Sequence, residues 1–408
     1  MHAMPKEMKL YLVILALTAI GIGFSNDIIS NYFKDAYQVT AFQRGMIELP
    51  RELPGMLCIL IISLLSFLND IKISILSQAL SIIGMVVLGL ITPSYSVMLV
   101  FIFINSVGMH LFFPLQDSIG LSLIKKGEIG KRMGQFKGIY TAFQMVAAMM
   151  VFIGFRTGFF SFETSLKLPF LAAGFLFLIV LILLVRLQRM VHVPGSLHKK
   201  NRLVVRKEYR YYYILVIMFG VQKQIMMVYG PWVLIDLLSK KADTIAMLAI
   251  IGGLIGIFFI PAVGRWMDRF GVKIMLYADA LSFIAIYLIY GTLAAGYAEG
   301  WLSQAGWPVM LAYLIFILDR MSTQMGLVRT VYLQLIAVEP SDITPTLSFG
   351  LSLDHVVSII CAILGGIIWE AWGPEYIFFL AASLSLVNLY VAFKVKLPSD
   401  SGQKARGA

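Results

Sequence analysis

About twelve long apolar runs, separated by short polar segments, constrain this chain more than any other feature. A helix needs roughly 20 mostly apolar residues to cross a bilayer, and each run has about that length. The runs lie roughly at residues 9–33, 45–67, 72–92, 95–117, 136–156, 168–187, 211–236, 244–264, 273–294, 308–329, 347–369 and 375–395. We therefore predict an all-α integral membrane protein with about twelve transmembrane helices and almost no chain left for a soluble domain.

The basic residues are concentrated in every second connection. If the N-terminus is cytoplasmic, the predicted outer segments keep only Lys34, Arg44, Arg156, Lys167, Lys240 and Lys241. This is the positive-inside distribution. It predicts a multi-pass protein of the cell membrane, the inner membrane in a bacterium, with both termini in the cytoplasm. The net charge of +11 is therefore a topology signal and gives no support for nucleic-acid binding.

Two further features concern processing. The first run follows Lys6 and Lys9, as the apolar part of a signal peptide does, but no small-residue cleavage site follows, so we expect the run to be retained. Cys58 and Cys361 both fall inside predicted spans, and a disulfide framework is not indicated.

The longest polar connection follows the sixth run and divides the chain into similar halves. We predict an N-terminal six-helix half at 1–187, a basic cytoplasmic linker at 188–210 and a C-terminal six-helix half at 211–408. GFSNDIISNY in run one and GVQKQIMMVY in run seven share Gly and Tyr at the same places. Asp70 and Asp268 follow the second run of each half. Many secondary transporters are built from such repeats.

A loop motif lies between runs eight and nine. GRWMDRFGVK resembles the Gly-x-x-x-Asp-Arg-x-Gly-x-Lys motif of the major facilitator superfamily, and the matching residues are Gly264, Asp268, Arg269, Gly271 and Lys273. The copy after run two keeps Asp70 and Lys72 but lacks the glycines and the arginine. The resemblance implies two pseudo-symmetric six-helix halves, secondary transport, and a cytoplasmic latch formed by Asp70 and the five motif residues. The alternative for the Asp-Arg pair is a solvated turn.

Two patterns found in drug antiporters of that family are missing. Run five, GQFKGIYTAFQMVAAMMVFIGF, lacks the glycine-proline pattern, and run four, VFIFINSVGMHLFFPLQD, lacks the expected arginine. A multidrug antiporter of the usual kind is therefore disfavoured.

Polar side chains inside the runs carry most of the functional information. A charged residue near the bilayer centre costs roughly 2.5 to 3.5 kcal/mol on insertion scales, so it usually faces a partner or a water-filled cavity. Such residues fall in runs one, four, seven, ten and eleven, and the resemblance implies that the first four of these line the cavity. The predicted cavity residues are Asn26, Asp27, Asn31, Tyr32, His110, Asp117, Gln222, Lys223, Tyr229, Asp319, Arg320, Asp354 and His355. For the charged pair in run ten and for the histidines, hydrogen bonding within the helix packing is the alternative.

The sequence IELPRELPG at the start of run two brings three charges together. Glu48 is three residues from Arg51 and four from Glu52, so all three project from one side of a helix. Pro50 and Pro54 free backbone carbonyls, which need a buried or hydrated partner. We predict that the three charged residues form an outer gate or cavity wall; the alternative is a helix end in the headgroup region.

No enzyme, ATPase or metal-ligand motif is found in the sequence. The leading hypothesis is a secondary active transporter that works by alternating access on a small polar or zwitterionic organic solute, because the predicted cavity offers both signs of charge. We expect neither a cofactor nor a metal, and a monomer.

Protons are the simplest coupling ion. Asp27 is the first candidate for the carrier, and Glu48, Glu52, Asp319 and Asp354 are its competitors. Two alternatives stay open: an exporter of drugs or amphipathic metabolites, and a non-transporting membrane sensor or assembly factor on the same fold.

Overall fold

The computed structural model describes residues 5–65, 67–124, 129–191, 206–395 and 397, and within these ranges the chain forms helices and no strand. The helices before the central linker are α1 Lys6–Asn26, α2 Ile29–Tyr37, α3 Ala41–Met46, α4 Glu48–Leu64, α5 Asp70–Leu90, α6 Tyr95–Ser122, α7 Ile129–Arg156 and α8 Leu168–Met190. Those after it are α9 Arg210–Trp232, α10 Ala242–Phe270, α11 Val272–Ala298, α12 Trp307–Gln324, α13 Gly326–Ile336, α14 Ile343–Ala371 and α15 Pro374–Lys394.

Eleven helices in the described ranges are long and apolar enough to cross a membrane. The all-α membrane fold predicted from the apolar runs is thereby confirmed. The run predicted at 45–67 differs, because it is divided into α3 and the 17-residue α4 and is too short to be one of the eleven. Pro50 has no N–H to donate to the Met46 carbonyl, which accounts for the interruption between the two helices.

Two of the spanning segments are interrupted. The first is divided between α1 and α2 at Asp27 and Ile28, and the ninth, Trp307–Ile336, between α12 and α13 at Met325. Breaks of this kind leave backbone carbonyls and N–H groups that need other polar partners inside a membrane.

The chain forms two compact units. The first unit comprises Met1–Val39, Ile47–Lys200 and Lys240–Ile250, and the second unit comprises Thr40–Met46, Asn201–Ser239 and Ile251–Ala408. The predicted boundaries of the halves stay predictions. Of the predicted linker, residues 192–205 lie outside the described residues, as do the ends of the chain at 1–4 and 398–408.

The first unit is built around α1, α5 and α6. Helix α5 packs against α6 and α8, and α1 packs against α7 and α8. One core cluster of this unit comprises Met8, Tyr11, Ile14, Leu15, Ile71, Phe112, Ile119, Phe136, Val180, Leu184 and Leu187. A Cβ atom at Gly108 of α6 would lie 2.5 Å from the Ser77 carbonyl oxygen of α5, so the two helices approach closely only because this residue is glycine.

In the second unit, α11 packs against α15, and α14 packs against both α9 and α3. The short helix α3 is held on α14 by a hydrogen bond from the Phe42 amide to Glu370 Oε1 at 2.9 Å. A Cβ atom at Gly45 would lie 2.2 Å from the Ala362 carbonyl oxygen. The contact between α3 and α14 therefore depends on a residue without a side chain.

Candidate functional site

The break in the first span presents an acidic side chain. Asn26 is the last residue of α1, and Asp27 is exposed in the break. The Asp27 Oδ2 atom lies 3.9 Å from the position that a Cβ atom of Gly23 would occupy, so the carboxylate lies alongside the last turn of α1. Discontinuous helices carry the binding sites in many transporters. The predicted proton carrier therefore lies at such a discontinuity.

Arg51 connects the start of α4 to the end of α1. Its Nη1 atom pairs with the Glu48 carboxylate, and its Nη2 atom donates to Asn26 Oδ1 at 2.9 Å. The Glu48 side chain is 1% exposed and that of Arg51 15%. The backbone oxygen of Arg51 also accepts a hydrogen bond from Ser106 Oγ of α6. Two of the predicted gate residues are thus in one network with the predicted cavity residue Asn26.

His110 is held by the preceding turn of α6. Its Nδ1 atom lies 2.9 Å from the Ser106 carbonyl oxygen and 3.0 Å from Ser106 Oγ, and Cys58 donates to the His110 carbonyl at 3.1 Å. A Glu52 carboxylate oxygen and a His110 ring nitrogen lie within 4.8 Å of each other.

Asn31 and Tyr32 follow the break, and both are buried on α2. The Tyr32 ring packs on Phe170 with centroids 4.7 Å apart, and its hydroxyl donates to the Tyr37 hydroxyl at 3.2 Å. Both side-chain amide atoms of Asn31 lack a hydrogen-bond partner among the described residues, although the residue is only 1% exposed. Tyr32 is therefore part of the aromatic core, whereas Asn31 keeps hydrogen-bonding capacity that the described chain does not use.

Asp117 lines a cavity of about 310 Å³ in the first unit. The lining residues are Tyr11, Leu15, Phe113, Gln116, Asp117, Phe136, Lys137 and Tyr140. Asp117 Oδ2 accepts a hydrogen bond from Lys137 Nζ at 3.3 Å. The other predicted cavity residues of the first unit, all of them described, do not line this cavity.

An ion pair inside the second unit joins α9 to α14. The Lys223 ammonium donates to Asp354 Oδ2, and the two side chains are 23% and 12% exposed. Asp354 Oδ1 has no hydrogen-bond partner among the described residues. His355 follows Asp354 on α14 and is half-buried. The structure thus brings together two of the predicted charges that lie far apart in sequence.

Gln222 and Tyr229 hold helices of the second unit together. Gln222 is fully buried, donates to Ser385 Oγ and accepts from Asn388 Nδ2 at 3.1 Å. The Tyr229 hydroxyl donates to the Ala362 carbonyl oxygen, and its ring stacks on Trp369 with centroids 5.8 Å apart. Both residues make the contacts expected of packing anchors.

Asp319 and Arg320 do not pair with each other. Asp319 is 7% exposed, and its Oδ1 atom has no hydrogen-bond partner among the described residues. Arg320 is exposed; its guanidinium lies 5.3 Å from the centroid of the Phe316 ring, and its Cδ atom lies 3.2 Å from the position of a Cβ atom at Gly252. Neighbouring residues on a helix project to different faces, as the sequence indicates.

The loop motif adopts a turn between α10 and α11. Gly271 precedes α11 with φ at +81°, a conformation that favours glycine. Lys273 Nζ donates to the Val395 carbonyl oxygen at 3.0 Å and to that of Phe393 at 3.3 Å. This places a cation at the C-terminal end of α15, where the helix dipole favours positive charge.

Asp268 and Arg269 of the motif lie in a different environment from Lys273. Asp268 and Arg269 are exposed, and no described residue forms an ion pair with Asp268. In the first unit, Asp70 is buried at the start of α5 and accepts a hydrogen bond from Ser118 Oγ. A Cβ atom at Gly264 would have no neighbour within 4 Å among the described residues. The latch therefore stays a prediction.

One buried ion pair was not foreseen. Arg329 Nη1 of α13 lies 2.7 Å from Asp279 Oδ2 of α11, and the side chains are 4% and 1% exposed. The signal was available: Asp279 is a single acid inside the otherwise apolar run nine, and such a residue calls for a buried cation. Which cation it finds is decided by the packing of the helices.

Helices of membrane-spanning length, with charged groups among them, define a multi-pass membrane protein. The model of the Major Facilitator Superfamily matches residues 11–340, and the chain belongs to this superfamily.

Solved structures of the same fold were also compared. The nucleoside transporter NupG has a TM-score of 0.74 at 13% identity, with 96% of this chain and 100% of that chain covered. A POT family transporter in complex with a thioalcohol conjugated peptide has a TM-score of 0.75 at 12% identity, with 96% of each chain covered. A bacterial metal transporter has a TM-score of 0.70 at 14% identity, with 96% of this chain and 99% of that chain covered. No curated protein sequence matches the chain significantly. At such identities the likeness shows the fold alone.

Proposed function

We propose that the protein is a proton-coupled secondary active transporter that moves a small polar or zwitterionic organic solute by alternating access. The observation that carries the proposal is that both units hold an ion pair within helices of the membrane fold and leave part of it accessible. These pairs are Glu48–Arg51 in the first unit and Lys223–Asp354 in the second. Charges at such positions usually face a water-filled path.

The pairing of opposite charges supports a solute that itself carries both signs. An ammonium of the solute can replace a lysine or arginine beside a carboxylate, and a carboxylate of the solute can replace an aspartate or glutamate beside a cation. An apolar solute makes no such exchange, and it would displace water from these charges without replacing the hydrogen bonds of that water. The compared structures are named for a nucleoside transporter, a peptide complex and a metal transporter, so the common fold does not select among solutes.

Asp27 is the proposed proton carrier because it is an exposed acid at a helix break. A carrier must release its proton on one side of the membrane and regain it on the other. Glu48 is almost completely buried beside Arg51, and Asp354 already pairs with Lys223. These two acids, with Glu52 and Asp319, are the competitors for the role.

The proposed setting is the cell membrane, with a monomer and with both termini in the cytoplasm. The distribution of Lys and Arg between the predicted loops supports this orientation.

The proposal is tested with purified protein in two steps. A thermal-shift screen against a metabolite library first finds a ligand, since a ligand at 100 times its Kd stabilises the native state by about 2.7 kcal/mol. Uptake of this ligand into proteoliposomes is then measured with and without a pH gradient. We expect the gradient to drive accumulation by the parent protein. Asp27→Asn should bind the ligand with an affinity that no longer depends on pH and should still exchange it, but it should not accumulate it.

The matched control is Glu163→Gln, which removes an exposed acid from the loop before α8. It should accumulate the ligand as the parent does. Accumulation by Asp27→Asn at the level of the parent would transfer the carrier role to Glu48, Glu52, Asp319 or Asp354. Uptake that is the same with and without the gradient would contradict proton coupling.

A further inference from the structure

We propose that the cavity of the first unit that contains Asp117 and Lys137 binds a small zwitterion with an aromatic ring. The proposal rests on the proposed function in one respect, because it takes this zwitterion to be the transported solute. The cavity lies within the first unit, and its wall is formed by α1, α6 and α7. Its volume of about 310 Å³ is near the lower end of the range of small-molecule pockets, about 300 to 1,000 Å³.

The two charges at the cavity are available to a ligand. Lys137 Nζ and Asp117 Oδ2 are 3.3 Å apart, and the two side chains are 62% and 46% exposed. An ion pair this exposed contributes little to folding, because water competes for both partners. A ligand with an ammonium and a carboxylate can insert between them and give each charge a new partner.

The aromatic wall surrounds these charges. Phe113 lies one helical turn before Asp117 on α6. On α7, Phe136 lies next to Lys137, and Tyr140 lies one turn after Phe136. Phe136 is fixed from behind by Tyr11, whose ring meets it edge to face with centroids 5.2 Å apart. Phe113 and Tyr140 are only partly buried and can offer a face to a ligand ring.

Gln116 supplies a third polar contact. The residue is 7% exposed, and its Oε1 atom has no hydrogen-bond partner among the described residues. Its backbone oxygen is already used, because it accepts from the Tyr11 hydroxyl. A buried acceptor without a donor is unfavourable, and an ammonium group has three donors. An ammonium at Asp117 can therefore also donate to Gln116, while the carboxylate of the same ligand pairs with Lys137.

Isothermal titration of the full-length protein in detergent tests the site. Four probes separate the contributions: phenylalanine has the ring and both charges, phenethylamine lacks the carboxylate, 3-phenylpropionate lacks the ammonium, and alanine lacks the ring. We expect phenylalanine to bind at least tenfold more tightly than each of the other three.

The variants assign the charges. Lys137→Gln should weaken phenylalanine binding at least tenfold and leave phenethylamine unchanged. Asp117→Asn should weaken the binding of phenylalanine and phenethylamine at least tenfold and leave the binding of 3-phenylpropionate unchanged. Arg132→Gln removes a cation from the same helix outside the cavity and should change none of the affinities. Unfolding temperatures equal to that of the parent show that the variants are folded, as expected for exposed positions.

Three outcomes would overturn the proposal: no binding by any probe, equal binding of phenylalanine and alanine, or phenylalanine binding that survives Lys137→Gln but is lost in Lys223→Gln. The last result would leave the transport proposal intact, because it moves the ligand to the second unit. Binding that follows the predicted pattern without uptake driven by a pH gradient would support the cavity and contradict proton coupling instead.

Discussion

Arg329 of α13 and Asp279 of α11 form a buried ion pair with 2.7 Å between Nη1 and Oδ2. The Arg329 guanidinium also lies over the Phe219 ring of α9, 3.7 Å from its centroid. Three helices of the second unit therefore meet at one arginine. Arg329 lies one turn after the break at Met325, so the pair joins the first turns of α13 to α11.

Removal of either partner of this pair should destabilise the protein strongly. Asp279→Asn or Arg329→Met leaves one charge buried without compensation, which costs roughly 3 to 5 kcal/mol. The double variant should lose less than the sum of the two single losses, because it contains no unpaired charge. Thermal unfolding in detergent measures both effects. Additive losses would show that the two side chains act independently.

The Lys223–Asp354 pair should matter for transport more than for folding, since its members are 23% and 12% exposed. We expect Lys223→Gln and Asp354→Asn each to reduce uptake at least tenfold, with a small change in unfolding temperature. The exchanged variant, Lys223→Asp with Asp354→Lys, should regain stability but not the affinity for the solute. Full uptake by both single variants would limit the pair to a packing role.

Because α3 packs closely on α14, alanine substitutions at two glycines should differ in their effect on stability. Gly45→Ala puts a Cβ atom 2.2 Å from the Ala362 carbonyl oxygen, and overpacking of this kind costs roughly 1 to 3 kcal/mol. Gly264→Ala is the matched control, because it is also within a helix but has no neighbour within 4 Å of the new atom. We expect a lower unfolding temperature for the first and an equal or higher one for the second. Equal effects would mean that α3 adjusts freely on α14.

A pH dependence should arise from Lys167, which precedes α8 and is 3% exposed. Burial lowers the pKa of its ammonium below the ordinary value of 10.5, since removal from water disfavours the charged form. Between the lowered pKa and 10.5 the unfolded chain binds more protons than the native one, so the contribution of Lys167 to stability rises with pH. The unfolding temperature of the parent relative to that of Lys167→Met should therefore increase as the pH approaches 10.5.

The control for this measurement is Lys6→Met, which removes an exposed lysine at the start of α1. The pH dependence of the Lys167→Met difference is measured relative to that of this control. A Lys167→Met difference that stays constant with pH would contradict the lowered pKa.

The orientation of the chain is tested by reporter fusions. Fusions at residue 200 and at both termini should report the cytoplasm, because the Lys and Arg residues are concentrated in these segments. An external signal at residue 200 would reverse the inner and outer assignments used for Glu48, Asp268 and Lys273.

Much of the fold could be predicted because membrane insertion depends on local composition. The apolar runs predicted about twelve spanning helices, and eleven helices in the described ranges are long and apolar enough to span. The motif at Gly264 to Lys273 indicated the superfamily that the family model confirms. The division of run two escaped this reasoning. Pro50 was visible in the sequence, but its effect depends on whether the freed Met46 carbonyl finds a hydrogen-bond partner elsewhere. The local sequence does not specify such a partner.

By itself the sequence determined the membrane environment, the helical class, the family and the set of charges that the membrane must accommodate. Each follows from the free energy of transferring single residues or short runs, and this depends on neighbours along the chain. Only the tertiary structure decided which charges meet: Lys223 with Asp354, Asp279 with Arg329, and Asp117 with Lys137 beside an aromatic wall. These pairs join residues on different helices, and their geometry is fixed by side-chain packing between helices, which the spacing of residues along one helix does not specify.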